Sequence, residues 1–81
     1  MIVRTYKNCS RQIIATAYGY RKSQTIVAKI DCAYQSAPDE VKRKLGTWKT
    51  GSRLLPDQVE AIVLLLGKPE TPHLIYTETI Q

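Results

Sequence analysis

The chain has 81 residues, 43% hydrophobic and 23% charged, with twelve Lys and Arg against seven Asp and Glu. That length holds one small domain with a single core, and the composition is that of a folded globular chain rather than a disordered one. The longest apolar run, Ala61 to Leu66, is six residues, far short of the ~18 that cross a membrane, and two cysteines, Cys9 and Cys32, are too few for a disulfide framework and read as reduced thiols.

The segment MIVRTYKNCSR has no apolar core of the kind a secretory signal carries, so a cytoplasmic protein with no membrane segment is expected. The charge is polarised along the chain. Residues 1–30 hold six bases and no acid, residues 31–53 carry a net +2, and residues 54–81 a net −3. Such asymmetry bears on partners and on steering, not on fold. It suits phosphates or an acidic protein surface, and it also serves plain solubility.

Met1 to Lys7 is rich in β-formers and reads as a first strand. Asn8 to Ser10 is a polar break whose side chains can bond their own backbone. Gln12 to Tyr18 and Gln24 to Tyr34 then read as a β-hairpin joined at Gly19 to Lys22. Period-2 alternation in the second of these sets Ile26, Ala28, Ile30 and Cys32 on one face, apart from Lys29 and Asp31, and marks that face as buried. A four-residue turn, with Gly19 supplying any positive φ, pairs Ala15 and Ala17 with that face and sends Tyr18 to the other. A turn one residue different in length exchanges the two faces.

Ser36 reads as the N-cap of a first helix, with Pro38 in the tolerant first turn and Asp39 completing an approximate capping box. Asp39 and Glu40 suit its positive end, and Lys42, Arg43 and Lys44 its negative end. Val41 and Leu45 form its apolar stripe and Gly46 ends it. Thr47 to Arg53 is a polar loop around Trp48. Pro56 opens a second helix that runs to Leu66, with Gly67 and Pro69 closing it. Val59, Ile62, Val63 and Leu66 share one face, which Leu64 and Leu65 widen. His73 to Ile80 alternates and reads as a last strand. The expected fold is therefore α+β in two layers: a four-stranded, mostly antiparallel sheet, in chain order β-β-β-α-α-β, with two helices packed on one face.

Signals for catalysis are weak. His73 is the single histidine, and general acid–base work needs a positioned partner. No nucleophile elbow is present. Cys32 on a core face is an inert thiol. Cys9, Asp31, Cys32 and His73 come from scattered places without the paired short spacing of a zinc site. The segment from Gly46 to Arg53 holds Lys49 and Thr50 between glycines but lacks the P-loop order. An enzyme, a metal and a cofactor are not expected.

Two basic and aromatic clusters remain. The first is Tyr18, Tyr20, Arg21 and Lys22 at the hairpin tip, with Lys29 on the open face of the following strand. Tyrosine rings offer bases a stacking surface, and Arg and Lys meet phosphates. The second is Lys42, Arg43, Lys44, Trp48, Lys49 and Arg53. In a chain with one Trp and no Phe, Trp48 is favoured as a core anchor, and the bases around it can serve a ligand in either case. The bland counterpart is that the rings pack the fold and the bases are solvated.

The function expected is non-enzymatic contact with nucleic acid, DNA or RNA, mainly through phosphates. The rival is a protein-binding inhibitor or accessory subunit whose basic surface docks on an acidic patch of a nucleic-acid-handling enzyme. In size and style such a protein resembles the compact inhibitors that mobile elements use against host defence, the anti-CRISPR type among them, with no shared motif. Open edge strands also leave a homodimer available.

Overall fold

The computed structural model describes residues 1–46, 48–49 and 53–81. In chain order they form β1 (Ile2–Tyr6), α1 (Arg11–Ala17), α2 (Ser23–Gln35), α3 (Asp39–Leu45), α4 (Pro56–Leu66), a 3-10 turn (Pro72–Leu74) and β2 (Tyr76–Ile80). The expected four-stranded sheet with two helices is therefore corrected: the described residues form four helices and one two-stranded antiparallel sheet. Both terminal strands form, but the last begins at Tyr76 rather than His73, which lies in the 3-10 turn. They pair from Ile2 with Ile80 to Tyr6 with Tyr76, and the Gln81 N–H continues the ladder to the Met1 carbonyl at 2.8 Å.

The main error lies between Arg11 and Gln35, where both expected hairpin strands are helices. Ser10, expected in a turn, is the N-cap of α1. Its Oγ accepts the Ile13 N–H at 3.2 Å and satisfies one of the donors a helix start leaves unpaired. Gly19, expected in a hairpin turn, is the residue just past the C-cap of α1. Its φ is +84°. It donates to Thr16 at 3.0 Å, and Tyr20 N–H donates to Ala15 at 2.8 Å. That pair of bonds is the Schellman closure, which needs a left-handed residue and so favours glycine.

α2 buries Ile26 and Ile30, with Val27, Ala33 and Tyr34 half-buried beside them. These lie at offsets of three and four, the helical period. Ala28 and Cys32, assigned to the core by the strand reading, are exposed. The two periods both fit because Ala and Cys pass for apolar residues at either. Packing decided between them: α2 lies against α1 and α4, and α4 also packs on α3 and β1. An α1 of seven residues exists only by such packing, since isolated short helices are unstable in water.

α3 and α4 lie close to their expected bounds. Ser36 does not cap α3, however; it follows the last residue of α2, and Pro38 occupies the position before Asp39. α4 carries the centre of the core, with Val59, Ala61, Ile62 and Val63 buried. Leu66 is half-buried, and Leu64, expected to widen the buried face, is exposed at 61%. Gln58 joins the two helices, accepting from the Leu55 N–H at 2.8 Å and donating to the Leu45 carbonyl at 2.9 Å. Cys9 and Leu54 form an isolated antiparallel bridge. Cys9 is buried and Cys32 exposed, both as free thiols. The expected loop from Thr47 to Arg53 falls in part, at Thr47 and at residues 50–52, outside the described residues.

Candidate nucleic-acid interface

The first cluster survives the change of fold but changes shape. Its carrier is the connection between α1 and α2, with Arg21 and Lys22 exposed at its tip. Gln12, on α1, donates to the Arg21 carbonyl at 3.1 Å and ties the connection back to the first helix. Lys29 lies on the outward face of α2, and its ammonium sits 5.8 Å from the centroid of the Tyr20 ring. Lys29, midway along α2, thus reaches back to Tyr20, the residue before Arg21 and Lys22.

The rings themselves are engaged in the fold. Tyr20 is half-buried against the core with Lys29 near its ring. Tyr18 is half-buried too, and its hydroxyl donates to the Gly67 carbonyl at 2.7 Å. Burial raises the Tyr18 phenol well above the ordinary tyrosine range, with a smaller push from Tyr76 and Tyr6. The question of hairpin parity that governed Tyr18 lapses, because no hairpin exists.

The second cluster is divided. Consecutive helical residues are ~100° apart around the axis, so Lys42, Arg43 and Lys44 diverge. Lys42 lies over the Tyr34 ring of α2, 5.3 Å from its centroid. Lys44 forms an ion pair with Glu60 of α4, and that carboxylate holds its ammonium above the ordinary lysine range. Arg43 is exposed. Trp48 is a core residue, 4% exposed, and the Arg11 guanidinium donates to its carbonyl at 2.7 Å. Lys49 lies 5.5 Å from the Trp48 ring centroid and pairs with Asp31 of α2 at 2.6 Å. Arg53 is exposed.

That last pair matters for the first cluster. Asp31 is the single acid among residues 1–38, and Lys49 covers it. Glu70 is an acid that does lie beside the connection, at Gly19. A Cβ placed on Gly19 would come within 2.5 Å of a Glu70 carboxylate oxygen.

The strand reading missed the outward face of α2. Gln24, Thr25, Ala28, Lys29 and Cys32 are all exposed there, and Thr25, Ala28, Lys29 and Cys32 line a shallow recess of about 500 Å³. Two signals pointed to it: a glycine directly after an apolar run, as at a helix C-terminus, and Ile26, Val27 and Ile30 at helical spacing. Among the described residues no group of three or more His, Cys, Asp or Glu is placed to hold a metal ion, and no helix is long and apolar enough to cross a membrane. No family model, no curated protein and no solved structure matches the chain.

Proposed function

We propose that the protein is a non-enzymatic module that binds nucleic acid chiefly through phosphate contacts. The observation that carries this reading is the exposure of Arg21 and Lys22 just before α2 and of Lys29 on its outward face, on a helix whose one acid, Asp31, is paired with Lys49. The net +6 of residues 1–30 adds long-range attraction for phosphates. With Trp48 in the core and Tyr18 and Tyr20 engaged, base stacking has little part in it, so binding is electrostatic and steeply salt-dependent. Lys42, Arg43, Lys44, Lys49 and Arg53 contribute at most general attraction, since two of them are matched by carboxylates.

Fluorescence anisotropy with labelled duplex DNA, single-stranded DNA and RNA over a salt series tests this. Affinity should fall as salt rises, and the double variant Arg21→Ala/Lys22→Ala should weaken binding and reduce the log–log salt slope by about two. Absence of salt-sensitive binding up to tens of micromolar protein at low salt removes the reading.

One observation favours the second reading, a protein-binding inhibitor or accessory subunit. Ile2 and Ile80 are paired at the open end of the β1–β2 ribbon and are 61% and 83% exposed. Apolar residues rimmed by charge suit a protein contact, with the basic surface steering approach to an acidic partner. Stoichiometric retention of one protein from nuclease-treated lysate, lost on Ile2→Asp, supports this reading against the first.

A further inference from the structure

We infer that the nucleic acid is duplex DNA and that α2 is the element that enters its major groove. This rests on the nucleic-acid reading above and deepens it. α1 and α2 pack together and are joined by Tyr18 to Lys22. Tyr18 N–H still bonds the Ile14 carbonyl at 3.1 Å, so the true turn is the four residues from Gly19 to Lys22, with a glycine at its head. Two packed helices joined by a short glycine-containing turn are the parts from which a helix-turn-helix is built, in which the first helix crosses the DNA backbone and the N-terminal part of the second reads base edges.

The two outward faces differ in the way that role requires. On α1, Gln12 donates to the Arg21 carbonyl at 3.1 Å, and Thr16 donates to the Gln12 carbonyl at 2.9 Å; its polar groups serve the fold. On α2 the exposed residues Gln24, Thr25, Ala28, Lys29 and Cys32 follow one another at helical spacing along a single side. Thirteen residues span about 20 Å, and a helix of ~10–12 Å diameter fits the ~12 Å major groove. Ala28 and its short neighbours leave the shallow recess on this face, so the helix can approach base edges closely. Gln24 matches adenine, Lys29 matches guanine, and Thr25 and Ala28 match the thymine methyl. Arg21 and Lys22, at the turn, are placed for flanking phosphates.

Alternative nucleic acids fit less well. Single strands are held by stacking on open aromatic faces, and here Trp48 is buried and Tyr20 and Tyr34 are half-buried against the core. The major groove of duplex RNA is too deep and narrow for side chains to read.

Repeated rounds of selection from a randomised 20-base-pair duplex pool, followed by anisotropy on the selected duplex, test the inference. Enrichment of a short common motif is expected. Gln24→Ala and Lys29→Ala should each lower affinity for the selected duplex about 5- to 100-fold, with a smaller loss on random duplex. Arg21→Ala/Lys22→Ala should lower both alike. Ala28→Glu should abolish the preference for the selected duplex while circular dichroism and thermal melting stay those of the parent, because the site is exposed. Salt-sensitive binding with no enriched motif, or equal or tighter binding to single strands or RNA, overturns the placement of α2 and leaves the phosphate-binding reading standing. No binding to any of the three at low salt overturns both.

Discussion

The Tyr18 hydroxyl donates a 2.7 Å hydrogen bond to the carbonyl of Gly67, and so fastens the end of α1 to the end of α4 across 49 residues of sequence. Each partner follows the last residue of its helix. The bond fixes the point from which the α1–α2 connection departs, and the exposed bases follow within four residues.

Tyr18→Phe should cost about 0.5–1.5 kcal/mol, the worth of one such bond. It should also change the response to alkali. Burial raises the folded-state pKa of Tyr18. Below the ordinary phenol value of about 10, folded and unfolded chains are both protonated and the contribution is fully present. Above it the unfolded chain ionises first, so stability falls as pH rises. Cys9, also raised by burial, acts in the same direction from a lower starting point. Urea melts between about pH 8 and about pH 11 should show this decline, and a shallower one in Tyr18→Phe.

Gly19→Ala tests the helix ending directly. The φ of +84° costs an L-residue about 1–2 kcal/mol, and the added methyl also meets Glu70. Adding Glu70→Ala should recover the steric part and leave the backbone part. A Gly19→Ala variant as stable as the parent would contradict the Schellman closure.

The strand and helix readings of α2 predict opposite outcomes at two positions. Ile30→Ala, at a fully buried site, should cost about 2–5 kcal/mol. Cys32→Ser, two residues away on what a strand would make the same face, should stay within about 0.5 kcal/mol because Cys32 is exposed. Paired denaturation curves decide it: a large loss at Cys32 would restore the strand.

Tyr76 is buried at the base of the ribbon, its ring 5.3 Å from that of Tyr6 and 4.9 Å from the Arg4 guanidinium. Its hydroxyl has no hydrogen-bond partner among the described residues. An unpaired buried hydroxyl is costly, so Tyr76→Phe should raise stability by about 1 kcal/mol. A drop of that size in thermal or chemical melts would mean that the hydroxyl is bonded after all.

The sequence by itself determined α4 and the presence, though not the first residues, of the last strand and α3, and it placed the first strand, because each carries local signals with one physical meaning. Alternating β-formers mark the strands, Pro56 and Gly67 bound α4, and the acid-to-base gradient from Asp39 to Lys44 matches one helix polarity. The burial of Trp48 was legible from its being the largest side chain of a core without phenylalanine. Residues 11–35 were not legible in this way. Ile26, Ala28, Ile30 and Cys32 satisfy a two-residue period while Ile26, Val27, Ile30 and Ala33 satisfy a helical one, and alanine is at home on a buried sheet and on an open helix alike. Only tertiary packing decided between them: α4 presents an apolar face that two isoleucines four residues apart cover, and the Schellman closure at Gly19 turns the chain into it. That choice also decided the candidate site, since it took Ala28 and Cys32 out of the core and laid them, with Gln24, Thr25 and Lys29, along the outward face of one helix.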